Sequence, residues 1–239
     1  MDVFSPLYHQ AVFMLASLVL FTSFVMLAQT RLVTLVNLFA LQGFLLALTT
    51  AMVAVVQKAP HLWVSASLTL GLKAVVIPLL LRWLILRMGL HRTEDPVERP
   101  LGLLLAAASL VVFSYYVTLP VVHLSLLATR NLIAASAASF LLGMLLMISH
   151  RQAVSHVVGF MTMENALFFL AVVSTYGMPL VVELGIAFDV MVAAVVFGVF
   201  FFHIKESIDS LDVDALSRLA ESTVAEIPQG ETLPQGEAE

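Results

Sequence analysis

GFMTMENALFF, residues 159–169, sets a glutamate and an asparagine side by side, Glu164 and Asn165, in a long apolar run with no other charge close by in sequence. A run of that kind is too apolar for the surface of a soluble domain. It reads instead as a helix buried in lipid, and the question it raises is why lipid should hold an acid. The rest of the chain has the same character. Of 239 residues, 61% are hydrophobic and 11% charged, with a mean hydropathy of +1.02. Soluble domains are roughly half apolar and about a quarter charged, so a globule of this size could not hide so much apolar surface. Asp2 and the lack of Lys or Arg in residues 1–6 do not fit a signal peptide, and the first apolar run is expected to span rather than be cleaved.

A spanning helix needs roughly 20 predominantly apolar residues. Such segments fall at about 9–28, 32–56, 62–87, 101–119, 131–149, 154–174 and 178–203. Their connections are short: "AQTR", "QKAPH", "HRTEDPVERP", "SHRQ" and "STYGMP". The runs are continuous rather than alternating, which excludes barrel strands. The fold class is therefore all-α, a polytopic membrane protein of about seven transmembrane helices. Arg31, Arg87, Arg92, Arg99, Arg151 and Lys205 gather on one side, against Lys58 and Arg130 on the other. The positive-inside rule then puts the N-terminus outside and the C-terminus in the cytoplasm.

Past Phe202 the chain changes. Ile208, Leu211, Leu216 and Leu219 have helix-like spacing, with Asp209, Asp212 and Asp214 between them. Such an acidic amphipathic segment is repelled by an anionic leaflet and suits a partner protein, or is simply a solvated tail. Residues 222–239, rich in Glu, Pro, Gly and Gln, carry the composition of disorder. Three regions result: 1–130 with four helices, 131–204 with three, and the tail 205–239. A weak internal echo joins 31–88 to 151–204, with Gln42 and Lys73 in the first copy and Glu164 and Asp189 in the second; it is a repeat or the shared idiom of membrane helices.

Counting places the polar groups. At 1.5 Å per residue, Glu164, Asp189 and Lys73 each lie roughly 16 Å from a helix end, near the middle of a core about 30 Å thick. Each costs roughly 2.5–3.5 kcal/mol at a helix centre, and such groups normally face the bundle interior or water and mark ion paths and proton relays. The plain alternative is that a buried carboxylate bonds a neighbouring helix and holds an interface. Glu183, nearer a helix end, reaches water. Pro78 removes a hydrogen bond to the carbonyl of Ala74, beside Lys73. His156 stands two turns before Glu164, a candidate for passing protons from the cytoplasm, while His9, His61, His91, His150 and His203 read as interfacial. No histidine pair has metal-ligand spacing. Zero cysteines exclude disulfides, thiolate metal sites and Fe–S clusters in this chain. No phosphate loop, nucleophile elbow or nucleic-acid surface is present.

"HRQAVSHVVGFMTMENALFFLAV", "VELGIAFDVMVAAVV" and "LDVDALSRL" resemble the K-type subunit of respiratory complex I and the small C subunit of multi-subunit Na⁺/H⁺ antiporters. That likeness covers about 145–219. Seven helices ending in this module resemble component E of hydrogenase-4-type, formate-hydrogenlyase-related complexes over most of the chain. The chain departs from the K-subunit pattern twice. Gly159-Phe160-Met161 stands where the pattern has Gly-Leu-Glu, with Glu164 one turn further on, and Asp189 replaces a Glu. The resemblance implies a non-catalytic membrane subunit of an oxidoreductase in a bacterial or archaeal cell (inner) membrane. Its partners would be large antiporter-like subunits, a membrane anchor subunit and a peripheral redox arm, with NiFe and Fe–S centres in those partners and no cofactor in this chain. The expected relay residues are Glu164 and Asp189, opposed by Lys73, with His156 and Gln42 as intermediaries.

Overall fold

Among the described residues the chain is helical, with no strand. The computed structural model describes residues 4–58, 60–87, 100–120 and 127–174, and positions 185, 187, 190–192, 194, 195 and 198. It divides into two compact units, 1–193 and 194–239, and nearly all the described residues belong to the first. Six helices are complete: α1 (Phe4–Leu27), α2 (Leu32–Gln57), α3 (Pro60–Arg87), α4 (Pro100–Val117), α5 (Leu127–Ser149) and α6 (Ala153–Ser174). Five of them are long and apolar enough to cross a membrane, and Leu101–Val117 is a shorter apolar helix. These are the first six segments expected from the sequence. The seventh, 178–203, and the tail lie outside the described residues apart from the isolated positions.

The ends differ in small ways that local chemistry explains. α1 starts at Phe4, because Pro6 falls in its first turn, where its missing N–H costs nothing. α2 stops at Lys58, whose φ of 51° makes a left-handed cap and whose N–H bonds the Ala54 carbonyl. The chain turns into α3 immediately afterwards. Inside α3, residues Leu70–Val76 wind as a π-helix, and the Ile77 N–H bonds the Leu72 carbonyl five residues back. With that spacing the donor missing at Pro78 faces the Lys73 carbonyl, not that of Ala74 as an unbroken α-helix would have it.

α1, α2, α6 and α5 pack in a closed ring, each on the next; α3 flanks α2, and α4 flanks α5 and touches α1. Residues on both sides of position 130 thus belong to one packed unit. One end of the ring is filled by an apolar cluster that includes Val12 and Ala16 of α1, Leu46 and Val53 of α2, Leu62 of α3 and Phe169 of α6. Gln42 and Asn165 sit one turn further along α2 and α6 from Leu46 and Phe169, so a polar layer begins where the apolar cluster ends. At the loops, buried His150 bonds the Gln29 carbonyl through Nε2 at 3.1 Å and the Ser149 hydroxyl through Nδ1 at 3.0 Å. It ties the α1–α2 turn to the α5–α6 turn, a packed role in place of the interfacial one read from its position. The outward faces are apolar: Phe21, Val112 and Ile148 are exposed, as acyl chains require and water would penalise.

The tightest contact in the ring is between α5 and α6. A Cβ added at Gly159 would meet Met147 Cγ at 2.6 Å and the Gly143 carbonyl oxygen at 3.0 Å; one added at Gly143 would meet the Met163 N at 2.9 Å and the Gly159 carbonyl at 3.0 Å. Backbones approach this closely only across small residues, which is the usual device where lipid supplies no hydrophobic drive. Gly159→Val is expected to part these helices and lower stability by about 1–3 kcal/mol, seen as a fall in thermal midpoint in detergent; an unchanged midpoint would refute the close packing.

Candidate functional site: a buried ion pair on a π-turn

Lys73 and Glu164 meet inside the bundle. The ammonium Nζ donates to Oε1 at 2.6 Å and to Oε2 at 2.5 Å. The lysine is 0% exposed and the glutamate 8%. Counting along the sequence put both at one depth, and the contact realises it. A pair like this is expensive to bury, because the desolvation of two ions offsets most of their attraction. Its geometry is therefore held by its surroundings. Lys73 lies in the π-turn of α3. Opposite it on α2 is Gly43, where a Cβ would meet the Lys73 carbonyl carbon and oxygen at 3.0 Å. Those atoms are backbone and cannot swing away, so the widened turn fits only against a glycine. π-turns occur frequently at functional sites.

Glu164 and Asn165 are neighbours on α6 and point about 100° apart, so one reaches α3 and the other α2. Asn165 Nδ2 donates to Gln42 Oε1 at 3.1 Å, and Gln42 Nε2 donates to Ser23 Oγ at 2.8 Å. Ser23 in turn donates to the Val19 carbonyl at 2.9 Å. Gln42 is thus the hub that joins α1, α2 and α6 through buried polar atoms. Phe168, one turn beyond Glu164, lays its ring 5.0 Å from Lys73 Nζ, an attractive cation–π placement that also covers the pair with carbon. Behind that ring is Gly185, where a Cβ would lie 2.5 Å from Phe168 Cδ2.

Three of the residues expected at the site are therefore brought together: Glu164, Lys73 and Gln42, the last through Asn165. His156 is not among them. It is exposed, and its Nδ1 lies 2.9 Å from the Gln152 carbonyl at the start of its own helix. Eight residues are 2.2 turns, which sets it about 80° around the helix from Glu164. Asp189 lies outside the described residues. Met161, at the position of the missing acid, is fully buried, one turn from Glu164. Sequence reasoning missed Ser23 and Phe168 as members of the site. Asn165 was visible as the companion of Glu164, but its partner was not. Among the described residues no group of three His, Asp or Glu could hold a metal.

The arrangement offers a carboxylate, an ammonium and two amides in a layer sealed by apolar side chains on one side. Chemically it can hold a proton at either member of the pair, or hold two helices together. Removing one partner of a buried pair typically costs about 3–5 kcal/mol, because the other charge is stranded. Lys73→Met or Glu164→Gln alone is expected to destabilise the protein by that order, while the double variant recovers most of the loss. Thermal unfolding of the four proteins as a double-mutant cycle tests this; additive losses would show the pair is not coupled. Gln42→Leu is expected to cost about 1–3 kcal/mol through the stranded Asn165 amide, measured the same way.

No protein-family model matches the chain, and no solved structure does. Among curated proteins, it is 32% identical over 155 residues to the uncharacterized protein Rv0085 of Mycobacterium tuberculosis, covering 63% of this chain and 69% of that one. It is 24% identical over 205 residues to hydrogenase-4 component E of Escherichia coli, covering 86% of this chain and 95% of that protein. The same figures hold for hydrogenase-4 component E of Shigella flexneri. The match runs through nearly the whole of that relative, and the chain belongs to the hydrogenase-4 component E family.

Proposed function

We propose that this protein is an integral membrane subunit of a hydrogenase-related, proton-translocating complex, and that the Lys73–Glu164 pair is a proton-exchange element within it. The single observation that carries the reading is an ionisable pair closed in the middle of a spanning bundle, on a π-turn. A purely structural contact between two apolar helices needs no ions, and well-packed apolar residues would serve stability at least as well. An intramembrane ionisable residue is a functional candidate by default, and here its partner is named. Glu164 accepts a proton when Lys73 turns away, and releases it when the ammonium returns. Asp189 is the next acid along the chain at similar depth and is the proposed second exchange group. His156, exposed at the loop end of α6, can gather protons at that surface without a direct path to the pair.

The N-terminus lies outside and the C-terminus in the cytoplasm of a bacterial or archaeal inner membrane. Antiporter-like membrane subunits, an anchor subunit and a peripheral redox arm are the partners. Electron transfer belongs to those partners: a chain without cysteine supplies no thiolate for NiFe or Fe–S centres. A scaffold role is the second reading. What favours it is that both carboxylate oxygens already lie within bonding distance of Lys73, which is also how a fixed strut between α3 and α6 looks.

The two readings part in the assembled complex. Lys73→Met with Glu164→Gln keeps the volume and removes both charges, so assembly is expected to survive. If the pair exchanges protons, translocation into vesicles falls by roughly a hundredfold, the lower range for losing a proton-transfer group. Asp189→Asn is expected to lower it in the same assay. Normal pumping by the double variant leaves only the strut.

A further inference from the structure

Most buried hydroxyls in this bundle are satisfied by their own helix. Thr49, Thr50, Ser136 and Thr162 each donate to the carbonyl four residues back, at 2.8–3.0 Å. Ser65 and Thr69 do not. Ser65 is 0% exposed and Thr69 1%, and among the described residues neither oxygen meets a protein partner. They stand at i and i+4 on α3, and Lys73 follows four residues on inside the π-turn, whose wider winding holds it close to the same stripe where an unbroken α-helix would carry it further round. The side-chain oxygen of Asn165, next to Glu164, is a third buried atom of this kind. The fourth such atom among the described residues is that of Ser139, on α5.

A buried hydroxyl left without a partner costs about 1–3 kcal/mol. A helix that offers its own carbonyls would cure this at no expense, as it does at Thr49 and Thr50. The two oxygens that decline the cure need another acceptor or donor, and polar groups sealed from bulk solvent ordinarily find it in bound water. Spacing supports the same occupant. Four residues of α-helix rise about 6 Å, too far for a direct hydroxyl–hydroxyl bond. Two waters in series, joined by three bonds of about 2.8 Å, bridge that gap.

We infer that a file of bound water runs along the Ser65–Thr69 stripe of α3, from the end of the bundle where α3 begins to the Lys73–Glu164 pair, and delivers protons to it from that end. The inference deepens the proposed proton exchange and rests on it for its use, though the hydration itself does not. A proton moves along the file by exchange between neighbouring oxygens. Each water takes one proton and passes on another, and Glu164 binds the last as Lys73 turns away, with no atom gained or lost. In the orientation proposed above, this end faces away from the cytoplasm, opposite to His156.

The chain has no cysteine, so thiols introduced at chosen positions are the only ones in this subunit. Ser65→Cys and Thr69→Cys, each in the assembled complex in sealed vesicles, are exposed to aminoethyl methanethiosulfonate on one face. The adduct is read from the mass of this subunit. Ala54→Cys, in the apolar cluster, is the control. Only a hydrated thiol ionises and reacts, so both positions are expected to react at least about tenfold faster than the control, and only from the face where α3 begins. Ser65→Ala with Thr69→Val, which removes both hydroxyls, is expected to slow proton translocation by roughly 2- to 10-fold, the factor that one or more hydrogen bonds is worth. Thiols as inert as the control overturn the file. Reactive thiols with undiminished pumping in the hydroxyl-free variant overturn its use for protons. Normal pumping by the Lys73→Met, Glu164→Gln protein overturns the proton exchange itself, while the thiol rates still decide whether water is there.

Discussion

Two opposite charges held together in the centre of a lipid-spanning bundle constrain nearly everything around them. Lys73 and Glu164 stand 91 residues apart in sequence, so their contact fixes how α3 lies against α6. An ammonium and a carboxylate cannot be left apart in hydrocarbon, where every polar group must find its partner inside the protein. The bundle answers with a layered interior. The apolar cluster at one end of the ring packs by shape alone, while one turn away Gln42 carries hydrogen bonds to α1 and α6 at once. Phe168 stands at the boundary between these layers, its ring turned to the lysine and its back to Gly185.

The backbone around the pair is adapted to it as well. A π-turn widens α3 at Lys73, and the bare Cα of Gly43 on α2 accepts the bulge. Gly143 and Gly159 let α5 and α6 close on the other side of the ring. In lipid, where helices do not gain by hiding carbon from water, such small-residue contacts and buried polar bonds are the main sources of specificity. Buried His150 adds a third kind, a side chain that fastens two turns at the end of the bundle.

Much of this site was legible before any coordinates. Helix rise is constant, so counting residues put Lys73, Glu164 and Asp189 at one depth, and their charge in an apolar setting marked them, while Gln42 stood out only as a polar residue mid-span. What counting does not give is rotation. In helices that are apolar on every side, hydrophobicity does not point to an inner face, so the sequence set Lys73 against Glu164 and Asp189 together and did not single out the acid it meets. The same blindness let His156 pass as a neighbour of Glu164, although 2.2 turns carry its ring to the exposed side. His150 read as a helix-end residue because its partner, the Gln29 carbonyl, belongs to a turn 121 residues away.

By itself the sequence determined the solvent and the plan: hydrocarbon around about seven helices, since nothing else accommodates such apolar runs, and an interior supply of ionisable groups at mid-depth. Which of those groups touch was decided only by the tertiary structure. The close approach of α2 to α3 at Gly43, and of α5 to α6 at Gly159, sets how each helix is turned about its axis. Contact at the few ångströms of an ion pair depends on that turning, and no residue's own chemistry encodes it alone.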